Sequence, residues 1–166
     1  MSLVLVGAPG SGKSSVGEQL ATIRHAQFID VDSHIEAAAG KPIAEIFADE
    51  GEAHFRELER QATVSLLQTQ DAVISLGGGA ILSEPIREAL AGHEVIWLYV
   101  SISQAARRVG LNRQRPLLLG NVRGRLVELL RERTPLYQAV ATHTVDTDGS
   151  TPADVAAEIQ RLLEEK

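Results

Sequence analysis

Cysteine is absent from the 166 residues, which excludes disulfides, cysteine-ligated zinc and thiol nucleophiles. Long apolar runs are absent as well: the longest, Val95 to Val100, falls far short of the roughly 20 residues that a membrane-spanning helix needs. The amino terminus has no basic flank, and Leu3–Val6 is too short for the apolar core of a secretory signal, so a cytoplasmic protein without a membrane partner is expected. Positive charge is not in excess either. The formal net charge is −6, against the basic balance usual in general nucleic-acid binders. His25, His34, His54, His93 and His143 lie scattered without metal-ligand spacing, so surface or packing roles are expected for them.

What is present suits one α/β domain over residues 1–166, with 44% hydrophobic residues and no repeat, low-complexity tract or linker. Leu3–Val6, Phe28-Ile29, Ala72–Leu76 and Val95–Val100 read as short strands, with Thr144-Val145 a weak fifth. Helices are expected over 14–23, after a Ser33 cap, over 42–47, 51–68, 85–91, 103–111 and 122–133, and from Pro152 onward. The last carries the clearest start signal, a Thr151 cap, Pro152 in its first turn and Asp154 completing a capping box. Short apolar strands alternating with helices predict a parallel sheet covered on both faces.

The most informative stretch is GAPGSGKS, Gly7 to Ser14, which fits G-x-x-x-x-G-K-[ST] between a strand and a helix. Its composition follows from phosphate chemistry. Backbone N–H groups of Gly10, Ser11, Gly12, Lys13, Ser14 and Ser15 can close around phosphate oxygens where bulky side chains would obstruct them. The helix that follows points its positive end at the same anion. Lys13 supplies charge at the β- and γ-phosphates, and the Ser14 hydroxyl can join a Mg²⁺ shell. The loop therefore predicts a nucleoside triphosphate, ATP, without naming the reaction.

Three further constellations bear on the second substrate. Asp30-Val31-Asp32 ends the second strand; if the strand continues that far, alternation would direct both carboxylates to one side, one toward magnesium-bound water and the other toward an attacking hydroxyl, and a helix cap or turn is the plainer alternative. Gly77-Gly78-Gly79 ends the third strand and lets backbone amides approach a ligand. No aspartate of the Walker-B kind precedes it, so Asp30 and Asp32 would supply that acid. Arg56 either pairs with Glu52 or Glu59 on the helix surface or converges with Arg133 as a clamp for a carboxylate or phosphate. Arg107, Arg108, Arg113, Arg115, Arg123, Arg125, Arg131 and Arg133 make one segment locally basic, as a small charged anion would require, although some of them simply face solvent.

Together GAPGSGKSSVG, FIDVD, KPIAEIFADEGEAHFRELE, ISLGGGA, RPLL and RERTPLY resemble the shikimate kinase family over nearly the whole chain. The resemblance implies a nucleoside-monophosphate-kinase-like, three-layer α/β/α fold with a five-stranded parallel sheet. It also implies transfer of the γ-phosphoryl of ATP to the 3-hydroxyl of shikimate, with Mg²⁺, in a monomer. Carried onto this sequence, Asp32 binds the acceptor hydroxyls and serves as base, with Lys13 and Arg115 as the other catalytic groups. Arg56 and Arg133 clamp the acceptor carboxylate, and Gly78 offers its amide. Ser14 ligates magnesium directly, with Asp30 and Ser75 in its outer shell. Arg108 lies over the adenine, opposite Ser150 to Pro152. The acceptor-binding region is about 31–61 and the lid about 112–124, where Arg113 and Arg123 have no assigned role. Other small P-loop kinases, for gluconate or a nucleotide, and a nucleotide-dependent switch are the competing readings.

Overall fold

Alternation along the strands gives each side of the sheet its own helices. In this computed structural model, which describes residues 2–110 and 122–165, the strands are β1 (Leu3–Val6), β2 (Gln27–Asp30), β3 (Ala72–Ser75), β4 (Glu94–Tyr99) and β5 (His143–Asp146). They form one all-parallel sheet in the order β2-β3-β1-β4-β5. The helices are α1 (Lys13–Arg24), α2 (Val31–Ala39), α3 (Ile43–Glu50), α4 (Glu52–Leu66), α5 (Glu84–Ala89), α6 (Ile102–Gly110), α7 (Val122–Val140) and α8 (Pro152–Glu164), with a 3₁₀ turn over Ala80–Leu82.

Leu3 and Leu5 of β1 pack with Ile96 and Leu98 of β4 against Val16 and Leu20 of α1 and Val155 and Ile159 of α8. Val4 and Val6 face the other way, with Val95 and Trp97, and meet Ile35, Phe55, Ile86 and Tyr137 from α2, α4, α5 and α7. Both faces are covered, so the strands read as continuous apolar runs, and the expected three layers are observed. Gly17 lets α1 sit close to β2: a Cβ there would lie 2.3 Å from the Phe28 ring. No helix among the described residues is long and apolar enough to cross a membrane.

Three local expectations change. Helix α2 begins at Val31, with Asp30 rather than Ser33 as its cap; the Asp30 carboxylate accepts from Asp32 N–H at 3.1 Å. Asp32 is therefore a first-turn helix residue, and strand alternation does not set its direction. Helix α7 runs on through Pro135 to Val140. A proline inside a helix removes one backbone hydrogen bond, but Tyr137 beyond it is buried and its ring stacks on Trp97 at 5.8 Å, which holds the far half in place. By contrast, the capping box of Thr151 and Asp154 forms as expected at the start of α8. The segment about 112–120, expected as loop, lies outside the described residues.

Candidate active site

The carboxyl ends of β1, β2 and β3 lie side by side and deliver the candidate residues. Register pairs Asp30 with Ser75 and Ser75 with Leu5, so the acid that ends β2, the glycines that follow β3 and the loop that follows β1 share one edge. This is the place where open parallel sheets gather ligands.

The loop after β1 takes a shape that glycine permits. Gly10 and Gly12 have φ of 82° and 90°, in the left-handed region. Gly12 caps α1 without a side-chain hydrogen bond, leaving the first N–H groups of the helix directed at the loop, an anion site. Lys13 Nζ donates to the carbonyls of Gly7 at 2.7 Å and Ala8 at 3.1 Å. Burial draws its pKa down from 10.5 to about 8, against the opposing pull of Asp32 and Asp30. Ser11 Oγ is buried without a protein partner. Ser14 Oγ, more exposed, donates to Asp30 Oδ2 at 3.4 Å. A cavity of about 400 Å³ runs from Gly10, Lys13 and Ser14 to Asp30, Asp32 and Gly78.

Beside the phosphate loop a second cavity, of about 310 Å³, is bounded by Ser11, Gly12, Ser15, Arg108, Ser150 and Pro152. Arg108 stands at its edge and donates to the Gly10 carbonyl at 2.7 Å and the Thr147 carbonyl at 3.4 Å. It thereby ties α6 to the phosphate loop and to the end of β5.

At the end of β3, each glycine of the triad has a close neighbour, as the space a Cβ would need makes plain. A Cβ on Gly77 would come within 2.7 Å of Asp32 Oδ1, one on Gly78 within 3.2 Å of the Pro9 ring and 3.4 Å of Arg133 Nη1, and one on Gly79 within 2.7 Å of Arg56 Nη1. Asp32, Arg133 and Arg56 thus sit beside three consecutive glycines. Asp32 Oδ1 and Arg133 Nε are buried with no protein partner. The Asp32 carboxyl is pushed up from 3.8 to about 6, chiefly by burial and then by the Asp30 and Glu59 carboxylates.

Arg56 pairs with the two glutamates named as its alternatives, though Glu59 is not at the surface. It pairs with Glu52 at 3.7 Å and Glu59 at 2.8 Å, yet it also faces Gly79. The pair is not a surface one, because Glu59 is 2% exposed. Burial raises the Glu59 pKa, while Arg56 and Arg133 both oppose the rise. Glu59 is therefore a buried carboxyl that pairs with Arg56 and feels the charge of Arg133, a role its helical spacing alone did not disclose. Tyr137 was likewise missed as a site residue; its hydroxyl donates to the Gly78 carbonyl at 2.7 Å. The only sequence signal was its place in RERTPLY. Arg113 and Arg115 lie outside the described residues, as does the Arg123 side chain.

A phosphate loop at one end of a sheet edge, with a floor of cations and a free carboxylate oxygen beside it, defines a P-loop phosphotransferase of the nucleoside-monophosphate-kinase type. The shikimate kinase family model matches residues 9–164. Over 160 residues the chain is 55% identical to the shikimate kinase of Salinispora arenicola and 56% identical to that of Salinispora tropica, covering 96% of this chain and 96% of each relative. Among solved structures it is similar to the Acinetobacter baumannii shikimate kinase in complex with shikimate, at 36% identity and TM-score 0.93, covering 99% of this chain and 93% of that one. It is also similar to the Bacteroides thetaiotaomicron enzyme, at 30% identity and TM-score 0.90, covering 99% and 98%. The chain belongs to the shikimate kinase family.

Proposed function

We propose that the protein transfers the γ-phosphoryl group of ATP to the 3-hydroxyl of shikimate, giving shikimate 3-phosphate and ADP. The observation that carries this reading is the placement of Arg56, Arg133 and the partnerless Asp32 Oδ1 over one glycine triad that borders the phosphate loop. Two guanidinium groups suit a carboxylate, and a carboxylate oxygen beside them suits a hydroxyl of the same small ring.

In this reading Gly10 to Ser15 hold the phosphates through their amides, and Lys13 carries its charge to the β- and γ-oxygens. Arg108 and Pro152 border the adenine. Arg56, Arg133 and the Gly78 amide orient the acceptor, which brings its hydroxyl to the transferring group; positioning supplies much of the rate in phosphoryl transfer. Asp32 accepts the hydroxyl proton, and a pKa near 6 leaves it ionised at neutral pH yet more basic than an ordinary aspartate.

The residues fit magnesium. Ser14 Oγ and Asp30 Oδ2 are hard oxygen donors lying 3.4 Å apart, and the metal prefers few protein ligands with several waters. Ser14 would hold the ion directly, with Asp30 and Ser75 acting through water, and bound Mg²⁺ would neutralise charge on the phosphates. The fold reads as a single domain in which residues about 31–61 form the acceptor side. Residues about 112–124 serve as a lid carrying Arg115, closing over both substrates and excluding water. The reading is of a monomer in the cytoplasm, with no nucleic-acid or membrane partner.

Coupled detection of ADP with shikimate, gluconate and nucleoside monophosphates in parallel tests this. Release stimulated by shikimate alone supports the reading. Stimulation by gluconate or a nucleotide instead moves the protein to another acceptor, and slow hydrolysis that no acceptor stimulates makes it a nucleotide switch.

A further inference from the structure

Every carbonyl of the glycine triad is held by the protein. Gly77 O accepts from Ala80 N–H and Gly79 O from Leu82 N–H, both at 3.1 Å and both local turns. Gly78 O has a different partner, the Tyr137 hydroxyl at 2.7 Å, brought by α7. The N–H groups of Gly77, Gly78 and Gly79, in contrast, donate to no protein acceptor among the described residues. The peptide linking Gly78 to Gly79 is trans, so fixing the carbonyl toward Tyr137 turns the Gly79 N–H the opposite way.

Tyr137 is itself firmly held. It is 1% exposed, its ring stacks on Trp97 at 5.8 Å, and burial raises its pKa to about 12 against the opposing Arg133 side chain, which hydrogen-bonds the same hydroxyl; the phenol stays protonated and able to donate. Arg133 stands four residues earlier, one turn along the same helix, and over Gly78. One helix face therefore supplies both a cation beside the triad and the donor that fixes the Gly78–Gly79 peptide.

We propose that Tyr137 is a positioning residue for the acceptor. Through the Gly78 carbonyl it sets the direction of the Gly79 N–H, and through its own contact with the Arg133 side chain it registers that amide against the guanidinium, without touching the acceptor itself. This rests on the acceptor site assigned above, whose own test is whether the wild-type protein phosphorylates shikimate.

The test is Tyr137→Phe, which keeps the ring on Trp97 and removes only the hydroxyl. Steady-state kinetics should show the acceptor KM rising about tenfold, the size of one weakened hydrogen bond to the charged acceptor as the Gly79 N–H and Arg133 lose their alignment, with the ATP KM within about twofold of wild type. Combined with Arg133→Lys, the two losses should fall short of multiplying, because both residues act on the same carboxylate geometry. A folded Tyr137→Phe protein with unchanged acceptor KM overturns the proposal. So does a fall in kcat with both KM values unchanged, or a lower melting temperature alone, since these are what a purely structural tyrosine would give. If wild type uses another acceptor, the function reading fails, and the Tyr137→Phe comparison is then made on that acceptor.

Discussion

Arg56 lies so close over Gly79 that the smallest side chain added there would meet its guanidinium, with Nη1 at 2.7 Å, Nη2 at 2.8 Å and Cζ at 3.1 Å from a Cβ. Gly79 has φ of −97°, which any residue adopts, so closeness and not backbone freedom requires glycine here. The guanidinium cannot move far, being paired with buried Glu59 at 2.8 Å. Gly79→Ala should therefore fold but displace Arg56 from its acceptor-facing position. The expected outcome is an acceptor KM about tenfold higher or more, with the ATP KM unchanged, since one misplaced charge-assisted contact is worth about 1.5–3 kcal/mol. Separate titration of the two substrates in a steady-state assay checks it.

Asp32 and Lys13 carry opposite pKa shifts with one cause, enclosure, and each is forced toward neutrality. A folded-state value of about 6 against 3.8 means that the folded chain holds the Asp32 proton more tightly than the unfolded chain does. The contribution of Asp32 to stability is thus greatest below about pH 4, declines as pH rises through 6, and becomes a cost above that. Asp32→Asn should raise the melting temperature at pH 7.5 and lose that gain near pH 4, while abolishing transfer. In the wild-type protein, kcat/KM for ATP should rise through about pH 6 as Asp32 ionises and fall through about pH 8 as Lys13 loses its charge. Thermal melts and a pH–rate profile read the two effects independently.

The sheet was legible because strands buried on both faces leave unbroken apolar runs, as in LVLV of β1 and AVIS of β3. β5 read weakly for a physical reason: at the edge of the sheet only Val145 of its four residues is buried. The phosphate loop was legible because its chemistry demands glycines, a lysine and a hydroxyl in fixed order. Asp32 was named, and it does line one cavity with Asp30, but by another route: Asp30 is the helix cap of the plainer alternative, and strand alternation stops there. Glu59 looked like a surface partner because spacing along α4 does not reveal that its carboxylate is enclosed between helices. The role of Tyr137 depends on a contact between residues 59 positions apart in sequence, which no local pattern encodes.

Arg133 should behave as a binding residue. Its Nε is buried without a protein partner, its Nη1 lies beside the Gly78 position, and its side chain also meets the Tyr137 hydroxyl; in the proposed reading its charge holds the acceptor carboxylate. Removing one member of a buried charge pair typically costs about 2–5 kcal/mol. Arg133→Ala should accordingly raise the acceptor KM steeply while leaving the ATP KM near wild type. An unaltered acceptor KM would remove Arg133 from the clamp.

Arg115 tests the lid. It belongs to the RPLL stretch, outside the described residues, and its role rests on the family pattern. A cation that arrives only when both substrates are bound contributes to the transition state more than to either ground state, so its loss should appear in kcat rather than KM. Arg115→Ala should lower kcat on the order of 10²-fold or more, in line with other arginines that neutralise a transferring phosphoryl group, with both KM values moving little. Water should also reach the phosphate more easily when the lid closes poorly. The ratio of ATP hydrolysed to acceptor phosphorylated, measured by parallel ADP and product assays, should then rise above the wild-type value. Unchanged turnover with an unchanged ratio would place the closing cation elsewhere in the chain.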